Sequence, residues 1–129
     1  MSAPLRLRLA LVALVATIQV VSVAAVLMVQ NGVAERIHVW RGELDSTAAE
    51  TGQATWDIVV ANILAPVIIR LLGESGLLGA VAPDGYLILS GIIDEQGPDV
   101  EAALAAAGGQ VRRIISAGDW VTYVAGHRQ

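Results

Sequence analysis

The feature that most constrains the fold is the stretch WDIVVANILAP at residues 56–66. A strand with one face in water alternates apolar and polar residues, whereas residues 58–61 are apolar at every position. Such a run is typical of a parallel strand that is covered on both faces, and Pro66 suits the first turn of a following helix. The stretch therefore predicts a layered α/β domain in which Asn62 lies at the carboxyl end of a buried strand.

The segments that follow continue the alternation of helices and strands. The helix after the first strand is predicted to run to about Ala82, followed by a turn at residues 83–85 and a strand at residues 86–90. Pro98 is predicted to open a second helix that ends at Gly108, because proline suits the first turn of a helix and glycine suits its end.

Two further strands complete the predicted fold. Residues 111–116 and 120–125 are separated by a short connection at residues 117–119, which predicts an antiparallel hairpin. Nearer the amino end, residues 37–40 are predicted as a short strand and the polar residues 42–55 as a surface loop. The predicted fold class is therefore α/β, with a mostly parallel sheet and a terminal antiparallel hairpin.

The length and the side-chain chemistry exclude several classes of function. With 129 residues the chain forms one small domain, and without cysteine it has neither disulfides nor thiolate metal ligands. Its two histidines, His38 and His127, are far apart and match no metal-binding spacing, so no metal is predicted. Lysine is absent and the net charge is −4, which argues against direct binding to nucleic-acid phosphates and favours a basic protein surface as partner.

The first thirty residues allow two interpretations. Arg6 and Arg8 precede residues 9–34, which include no charged residue. This pattern is typical of a signal peptide or a signal anchor and is long enough to span a bilayer. A buried strand followed by a buried helix has the same composition. The chain is accordingly divided into an apolar amino-terminal segment, residues 1–30, and an α/β domain, residues 31–129.

Asn62 also has two interpretations. Parallel α/β sheets bind their ligands at the carboxyl ends of the strands, where an amide donates and accepts hydrogen bonds without carrying a charge. Alternatively, the side-chain oxygen of Asn62 caps the helix at Pro66 by accepting a hydrogen bond from a backbone N–H. The spacing by itself favours the cap.

Four segments match a known family in order and spacing. They are NGVAERIHVWRGEL at residues 31–44, VVANILAP at residues 59–66, PDGYLILSGI at residues 83–92 and GDWVTYVAG at residues 118–126. Together they resemble the ribosomal protein L-eleven methyltransferase family of class I methyltransferases. The resemblance implies a Rossmann-like fold, S-adenosylmethionine as the cofactor, and N-methylation of lysine side chains or the N-terminal amine of a ribosomal large-subunit protein in the cytoplasm.

The resemblance also implies roles for individual residues. Asn62 matches the asparagine of the family's N-I-L-A motif, which lies against the cofactor and the incoming amine, so it is the predicted catalytic and cofactor-binding residue. An uncharged amide suits methyl transfer, which needs a neutral amine held in line with the sulfonium methyl group. Glu43 falls where related enzymes place an acid near the adenine amino group, and a solvated loop acid is the alternative. Trp120 matches a tryptophan of the last strand and is predicted to be buried, so that its truncation would cost about 3–5 kcal/mol.

The sequence departs from the family at its amino end. It contains no D-x-G-x-G-x-G loop, and in residues 11–22, which overlay the family's second strand, Val15 and Thr17 stand where acids are expected. The sheet is therefore predicted to lack a central first strand, and cofactor binding is predicted to be weak. Because family-like sequence follows directly at Asn31, residues 9–30 are predicted to pack inside the domain rather than to cross a membrane.

These observations predict a truncated, cytoplasmic protein N-methyltransferase that depends on S-adenosylmethionine. The activity of this chain alone is predicted to be weak or absent. The alternative is a non-catalytic α/β interaction domain that is tethered to a membrane, or exported, through residues 9–30. The two differ in whether the apolar segment is part of the folded domain.

Overall fold

The computed structural model describes residues 9–12, 26–38 and 42–129, with the backbone alone for residues 9–12. The chain divides into two compact units. The first unit contains the sheet and comprises Met1–Ala13 together with Leu44–Gln129, and the second comprises Leu14–Glu43.

The first unit is built on a five-stranded mixed sheet. Its strands are β1 (Leu9–Val12), β2 (Trp56–Asn62), β3 (Val81–Ile93), β4 (Gly109–Ala117) and β5 (Trp120–His127). They lie in the order β1-β2-β3-β5-β4, in which β1, β2 and β3 are parallel and β5 is antiparallel to both of its neighbours. A mostly parallel order with a terminal hairpin is the architecture that the sequence predicts.

Four α-helices are present among the described residues. They are α1 (residues 26–30), α2 (Thr47–Thr51), α3 (Ala65–Gly73) and α4 (Gly97–Ala106). Short 3-10 turns occupy Ala34–Arg36, Leu44–Ser46, Leu77–Ala80 and Asp94–Gln96. Within the described ranges, no helix is long and apolar enough to cross a membrane.

The junction between β2 and α3 follows the sequence closely. β2 ends at Asn62, and α3 carries Pro66 in its first turn, where the missing N–H costs no hydrogen bond. The helix ends at Gly73, so its predicted continuation to Ala82 is wrong. Gly76 adopts a left-handed conformation with a φ of 63°, and a right-handed helix cannot pass through such a residue.

β3 begins earlier than the sequence predicts. It starts at Val81 and includes residues 83–85, which the sequence assigns to a turn. Between its paired residues Val81 and Tyr86, β3 advances five positions while β2 advances two, so the extra residues form a bulge. Gly85 makes the bulge possible, because a Cβ atom at this position would lie 2.7 Å from the Asp57 carbonyl oxygen.

β1 occupies the position beside β2 where the sequence predicts that a central strand is missing. The parallel pairs run from Leu9–Ile58 to Val12–Ala61. The expectation of a sheet without a strand at this position is therefore wrong. The physical reason is that six of the seven residues of β2 are buried or partly buried, so its backbone N–H and C=O groups need partners on both sides.

Other predictions for the amino-terminal part are wrong or lie outside the described residues. Val15, Thr17 and most of the segment that is predicted to pack inside the domain lie outside them. Residues 37–38 are not in a strand, because an alternation of four residues is too short to specify one, and residues 39–40 are not described. Residues 42–55, predicted as a loop, contain α2, because the alanines of this region favour helix.

One face of the sheet carries the hydrophobic core. Helices α3 and α4 cover this face, and alternate residues of the strands point towards them. The buried side chains include Val59, Ala61, Leu87, Leu89, Ile92, Val121, Tyr123 and Ala125 from the strands, and Ile68, Leu72, Val100 and Leu104 from the helices. Each large aliphatic side chain contributes about 1.5–3 kcal/mol by its burial. The intervening residues of the same strands, including Asn62, form the opposite face.

Tyr123 connects the sheet to α4. Its side chain is buried, and its hydroxyl lies directly against Gly97 and hydrogen-bonds to the Glu101 carboxylate. Burial raises the pKa of Tyr123 above its ordinary value of 10.0, and the carboxylates of Glu101 and Asp94 act in the same direction. The phenol therefore remains protonated at neutral pH and keeps its donor for Glu101.

Trp120 is exposed, so the prediction that it is buried in the core is wrong. Its side chain retains 56% of its accessible surface. Val121 and Tyr123 occupy the core-facing positions of β5, and Trp120 lies on the opposite face, where it pairs with Ile93 of β3. The cost of about 3–5 kcal/mol assigned to its truncation belongs to a buried aromatic residue and does not apply here.

Gly97→Ala is expected to lower the free energy of unfolding by about 1–3 kcal/mol, because the added methyl group would be forced against the Tyr123 hydroxyl. Urea unfolding followed by circular dichroism measures this change. Gly73→Ala is the matched control, since Gly73 is also helical and its Cβ position has no atom within 4 Å. The control is expected to be as stable as the parent or more stable. Equal stability of the two variants would show that the contact between Tyr123 and Gly97 does not constrain the fold.

Candidate functional site

The carboxyl ends of the parallel strands form one open edge of the sheet. Asn62 is the last residue of β2, and its backbone is in register with Ser90 of β3. The Asn62 side chain is exposed, whereas the preceding residue, Ala61, is fully buried. In parallel α/β sheets this edge is where ligands bind, and here it presents a carboxamide to the solvent.

Asn62 does not cap α3, so the alternative interpretation of this residue is wrong. The N-cap residue of α3 is Leu64, which has an extended conformation and makes no side-chain capping hydrogen bond. Because Pro66 has no N–H group, the start of the helix has one fewer donor that needs a partner. The Asn62 amide is therefore not required for the local helix geometry.

Gly91 lies where two acceptor oxygens come close together. It has a φ of 77°, a left-handed conformation that favours glycine, and it lies at an irregularity of the ladder between β3 and β5. A Cβ atom on Gly91 would lie 2.8 Å from Asn62 Oδ1 and 3.1 Å from the Ile63 carbonyl oxygen. The side-chain oxygen and the backbone oxygen thus both approach the Gly91 backbone, and a side chain at this position would displace them.

A row of polar side chains continues from Asn62 across the sheet. Ser90 is the neighbour of Asn62 on β3, and its hydroxyl lies 3.2 Å from the Thr122 hydroxyl of β5, a hydrogen-bonding distance. Neighbouring strands lie about 4.8 Å apart, so the polar row Asn62–Ser90–Thr122 spans about 10 Å. The row carries no ionisable group and lies on the face opposite to α3 and α4.

The structure also locates other ionisable residues. Glu43 is exposed and belongs to the second unit, and its role near an adenine group stays a prediction. Asp94 and Glu95 are exposed in the turn after β3. His127 donates from Nε2 to the Val81 carbonyl oxygen at 2.8 Å, which is a structural contact between β5 and β3. Among the described residues, no group of three or more His, Asp or Glu side chains could hold a metal ion.

The segment after β1 determines how well this edge fits an adenosyl cofactor. β1 ends at Val12, whose register partner Ala61 lies one residue before the end of β2. Rossmann-type sheets place a glycine-rich turn after such a strand, because the backbone must approach the cofactor closely. Here no glycine precedes Gly32 and no acidic residue precedes Glu35. The residues after β1 therefore do not fit the cofactor, and the edge supplies neutral hydrogen-bonding groups, among them the acceptors Asn62 Oδ1 and the Ile63 carbonyl oxygen.

Such acceptor groups suit a neutral nitrogen nucleophile. Carboxamide and carbonyl oxygens accept hydrogen bonds and carry no charge that would hold an amine in its protonated form. A neutral primary amine donates two N–H groups and keeps its lone pair in a third direction. Two fixed acceptors therefore set the direction of the lone pair.

Comparison with solved structures shows the fold of a class I methyltransferase, as predicted. The crystal structure of ribosomal protein L11 methylase from Lactobacillus delbrueckii subsp. bulgaricus matches with a TM-score of 0.77 and 27% sequence identity, over 94% of this chain and 57% of that chain. An O-methyltransferase family protein from Burkholderia thailandensis matches in fold with a TM-score of 0.63 and 15% identity, over 84% of this chain and 41% of that chain. Class I methyltransferases use S-adenosylmethionine as the methyl donor.

Comparison of sequences then identifies the family. Residues 11–128 match the family model described as ribosomal protein L11 methyltransferase (PrmA). The chain is 41% identical to the ribosomal protein L11 methyltransferase of Heliobacterium modesticaldum over 98 residues. The aligned region covers 76% of this chain and 29% of that protein. The chain belongs to the ribosomal protein L11 methyltransferase family, and the resemblance of the sequence motifs is confirmed.

Parts of the open edge are not predicted from the sequence. Gly91 had a usable signal, because a glycine at the end of an apolar strand indicates a bulge or a close backbone approach. The Ile63 carbonyl and the Thr122 hydroxyl had none. Their positions depend on the path of the chain after Asn62 and on the register between β3 and β5, which local patterns do not determine.

Gly91→Ala is expected to destabilise the fold and to displace the Asn62 carboxamide, because its methyl group would lie within 2.8 Å of Asn62 Oδ1. Gly118→Ala is the matched control. Gly118 also has a positive φ, 59°, but its Cβ position has no atom within 4 Å. In both variants the strained backbone is expected to lower the free energy of unfolding by about 1–2 kcal/mol. Overpacking is expected to lower it by about 1–3 kcal/mol more in Gly91→Ala.

Urea unfolding gives the two free energies, and nuclear magnetic resonance of the side-chain amide groups reports on Asn62. A shift of the Asn62 signals in Gly91→Ala and not in Gly118→Ala is the expected result. Equal destabilisation with unchanged Asn62 signals would contradict the role of Gly91 in positioning the amide.

Proposed function

We propose that this chain carries the amine-binding part of a protein N-methyltransferase that uses S-adenosylmethionine and acts on a lysine side chain or the N-terminal amine of ribosomal protein L11. The observation that best supports this proposal is the exposed Asn62 carboxamide at the carboxyl end of β2, in register with Ser90 of β3. Asn62 Oδ1 and the Ile63 carbonyl oxygen both approach Gly91, whose missing side chain leaves room for them. Membership of the family adds the reaction class and the substrate.

The chemistry of N-methylation explains why neutral acceptors are needed at this position. The nucleophile is the lone pair of an unprotonated amine, and a lysine amine in water is protonated at neutral pH. A carboxylate would favour the ammonium form, whereas the Asn62 amide and a backbone carbonyl do not. Each neutral hydrogen bond contributes about 0.5–1.5 kcal/mol, and the larger gain comes from holding the amine in the reactive orientation.

The overall charge of the chain fits a ribosomal protein as partner. The net charge is −4 at pH 7. Proteins that bind ribosomal RNA carry basic surfaces to neutralise the phosphates, and a basic surface is attracted to an acidic enzyme before the reactive groups meet. Direct binding of the chain to RNA is not part of the proposal.

The extent of the match limits what is assigned to this chain. It spans 29% of the length of the curated relative from Heliobacterium modesticaldum. Because the residues after β1 do not fit the cofactor, the proposal assigns to this chain the binding and orientation of the amine. It assigns no step of cofactor binding to these residues.

A chimeric enzyme tests the proposed role of Asn62. We expect that exchanging the matching region of the Heliobacterium modesticaldum protein for residues 56–129 of this chain yields an enzyme that methylates ribosomal protein L11. Asn62→Ala in this chimera is expected to lower kcat by at least the roughly 2- to 10-fold that corresponds to one neutral hydrogen bond, with little change in the thermal midpoint. Transfer of tritiated methyl groups measures the rate.

Two further variants of the chimera sharpen the test. Asn62→Asp retains the size of the side chain but favours the ammonium form, so its loss of rate is expected to be smaller at higher pH. Leu64→Ala is the control, because Leu64 is 71% exposed and is not part of the polar row. A chimera in which Asn62→Ala is as active as Leu64→Ala would contradict the proposal.

The chain alone is expected to bind S-adenosylmethionine weakly or not detectably, because the segment after β1 provides neither a glycine-rich turn nor an acidic residue for the ribose. Calorimetric titration of the purified chain with S-adenosylmethionine measures the affinity. Binding in the micromolar range would show that residues 13–34 build a cofactor site of another kind.

A further inference from the structure

Three apolar side chains form an exposed strip beside the polar row. They are Ile93 of β3, Trp120 of β5 and Ile115 of β4, with exposures of 44%, 56% and 45%. Ile93 pairs with Trp120, and Ile115 pairs with Thr122, so all three lie on the face opposite to α3 and α4. An exposed tryptophan does not contribute the stabilisation that its burial would give. A patch that combines it with two exposed isoleucines is typical of a contact surface for a partner.

Acidic residues border one end of the exposed strip. Asp94 and Glu95 directly follow Ile93, and Asp119 directly precedes Trp120. The two segments are held together, because the Asp94 N–H donates to the Asp119 carbonyl oxygen at 2.8 Å. All three carboxylate residues are exposed. We call this group the acidic border.

The exposed strip is continuous with the polar row that ends at Asn62. Thr122 is the last member of the row, and Trp120 is two residues away on the same face of β5, about 7 Å along the strand. With about 10 Å between Asn62 and Thr122, the distance from Asn62 to Trp120 is about 12 Å. An extended peptide covers that distance in about four residues.

We propose that the exposed strip and the acidic border form the docking surface for a basic, partly apolar segment of the substrate protein, which is held there while its amine lies at Asn62. This inference rests on the proposed function, since it specifies the substrate segment of the same site. The aliphatic parts of lysine and arginine side chains pack against Trp120 and the two isoleucines, and their charged ends reach the carboxylates of the acidic border.

The charge of the surface decides between possible occupants. A second copy of this chain would bring a second acidic border close to the first, and like charges repel. An anionic lipid surface or an RNA would meet the same repulsion. A cationic peptide is attracted to the acidic border and covers the apolar side chains at the same time.

Direct binding to a peptide without cofactor tests the proposal. The probe is a fluorescein-labelled peptide rich in lysine and valine, and fluorescence anisotropy gives its Kd for the full chain. We expect saturable binding that weakens between about 0.1 M and 1 M sodium chloride, where the Debye length falls from about 10 Å to about 3 Å. A peptide with glutamate in place of lysine is expected to bind at least about tenfold more weakly.

Variants of the exposed strip and the acidic border locate the binding surface. Trp120→Ala is expected to weaken binding about tenfold or more, and Trp120→Phe to recover most of it. Tyr86→Ala is the matched control, because Tyr86 is 48% exposed but lies near the middle of β3, seven residues before Ile93. The double variant with Asp94→Asn and Asp119→Asn is expected to bind the peptide more weakly and with less dependence on salt. Both residues are exposed, so the two substitutions are not expected to impair folding.

Several results would overturn the inference. They are equal affinity for the two peptides, equal effects of Trp120→Ala and Tyr86→Ala, and no binding of the lysine peptide at all. Sedimentation that shows a dimer dependent on Trp120, without peptide binding, would assign the surface to a second copy. Failure of the proposed function would be distinguishable from failure of this inference. A chimera whose rate is insensitive to Asn62→Ala would contradict the proposed function, whereas peptide binding by the chain without cofactor would not be affected by that result.

Discussion

The parallel register between β2 and β3 is the constraint on which the rest of the structure depends. It places Asn62 beside Ser90 and turns Ala61 and Leu89 into the core beneath α3 and α4. A slip of one residue would reverse this arrangement, because successive residues of a strand point to opposite faces. The Asn62 amide would then be buried without a partner, at a cost of about 1–3 kcal/mol, and two core side chains would be exposed. The register that forms the core therefore also forms the open edge.

The parts of the fold that local chemistry determines were predicted from the sequence. The buried strand before Asn62, the helix start at Pro66 and the terminal hairpin each follow from a pattern within a few residues. The end of α3 and the start of β3 were not predicted, since both depend on the left-handed Gly76 and on the bulge at Gly85. The role of a glycine of this kind is set by the backbone of a neighbouring segment, which a linear pattern does not contain.

The candidate site was predicted in part for the same reason. Asn62 is recognisable because an amide interrupts an apolar run, but its companions are the carbonyl oxygen of the next residue and a glycine of the neighbouring strand. Trp120 shows the reverse case. Its size and its match to a tryptophan of the family favoured the core, whereas the face on which it lies is fixed by pairing with Ile93. Burial of the neighbours Val121 and Tyr123 leaves Trp120 available for a partner.

The central claim is that the Asn62 carboxamide at the open edge binds the neutral amine of the substrate. Titration of the isotope-labelled chain with trifluoroethylamine, which is largely unprotonated at neutral pH, tests it directly by nuclear magnetic resonance. Asn31 is an internal reference, because its side chain already donates to the Leu27 carbonyl oxygen at 2.7 Å. Saturable shifts of the Asn62 side-chain amide and of the Gly91 backbone amide are expected, with the Asn31 signals unchanged. Shifts of equal size at both asparagines, or at neither, would contradict amine binding at Asn62.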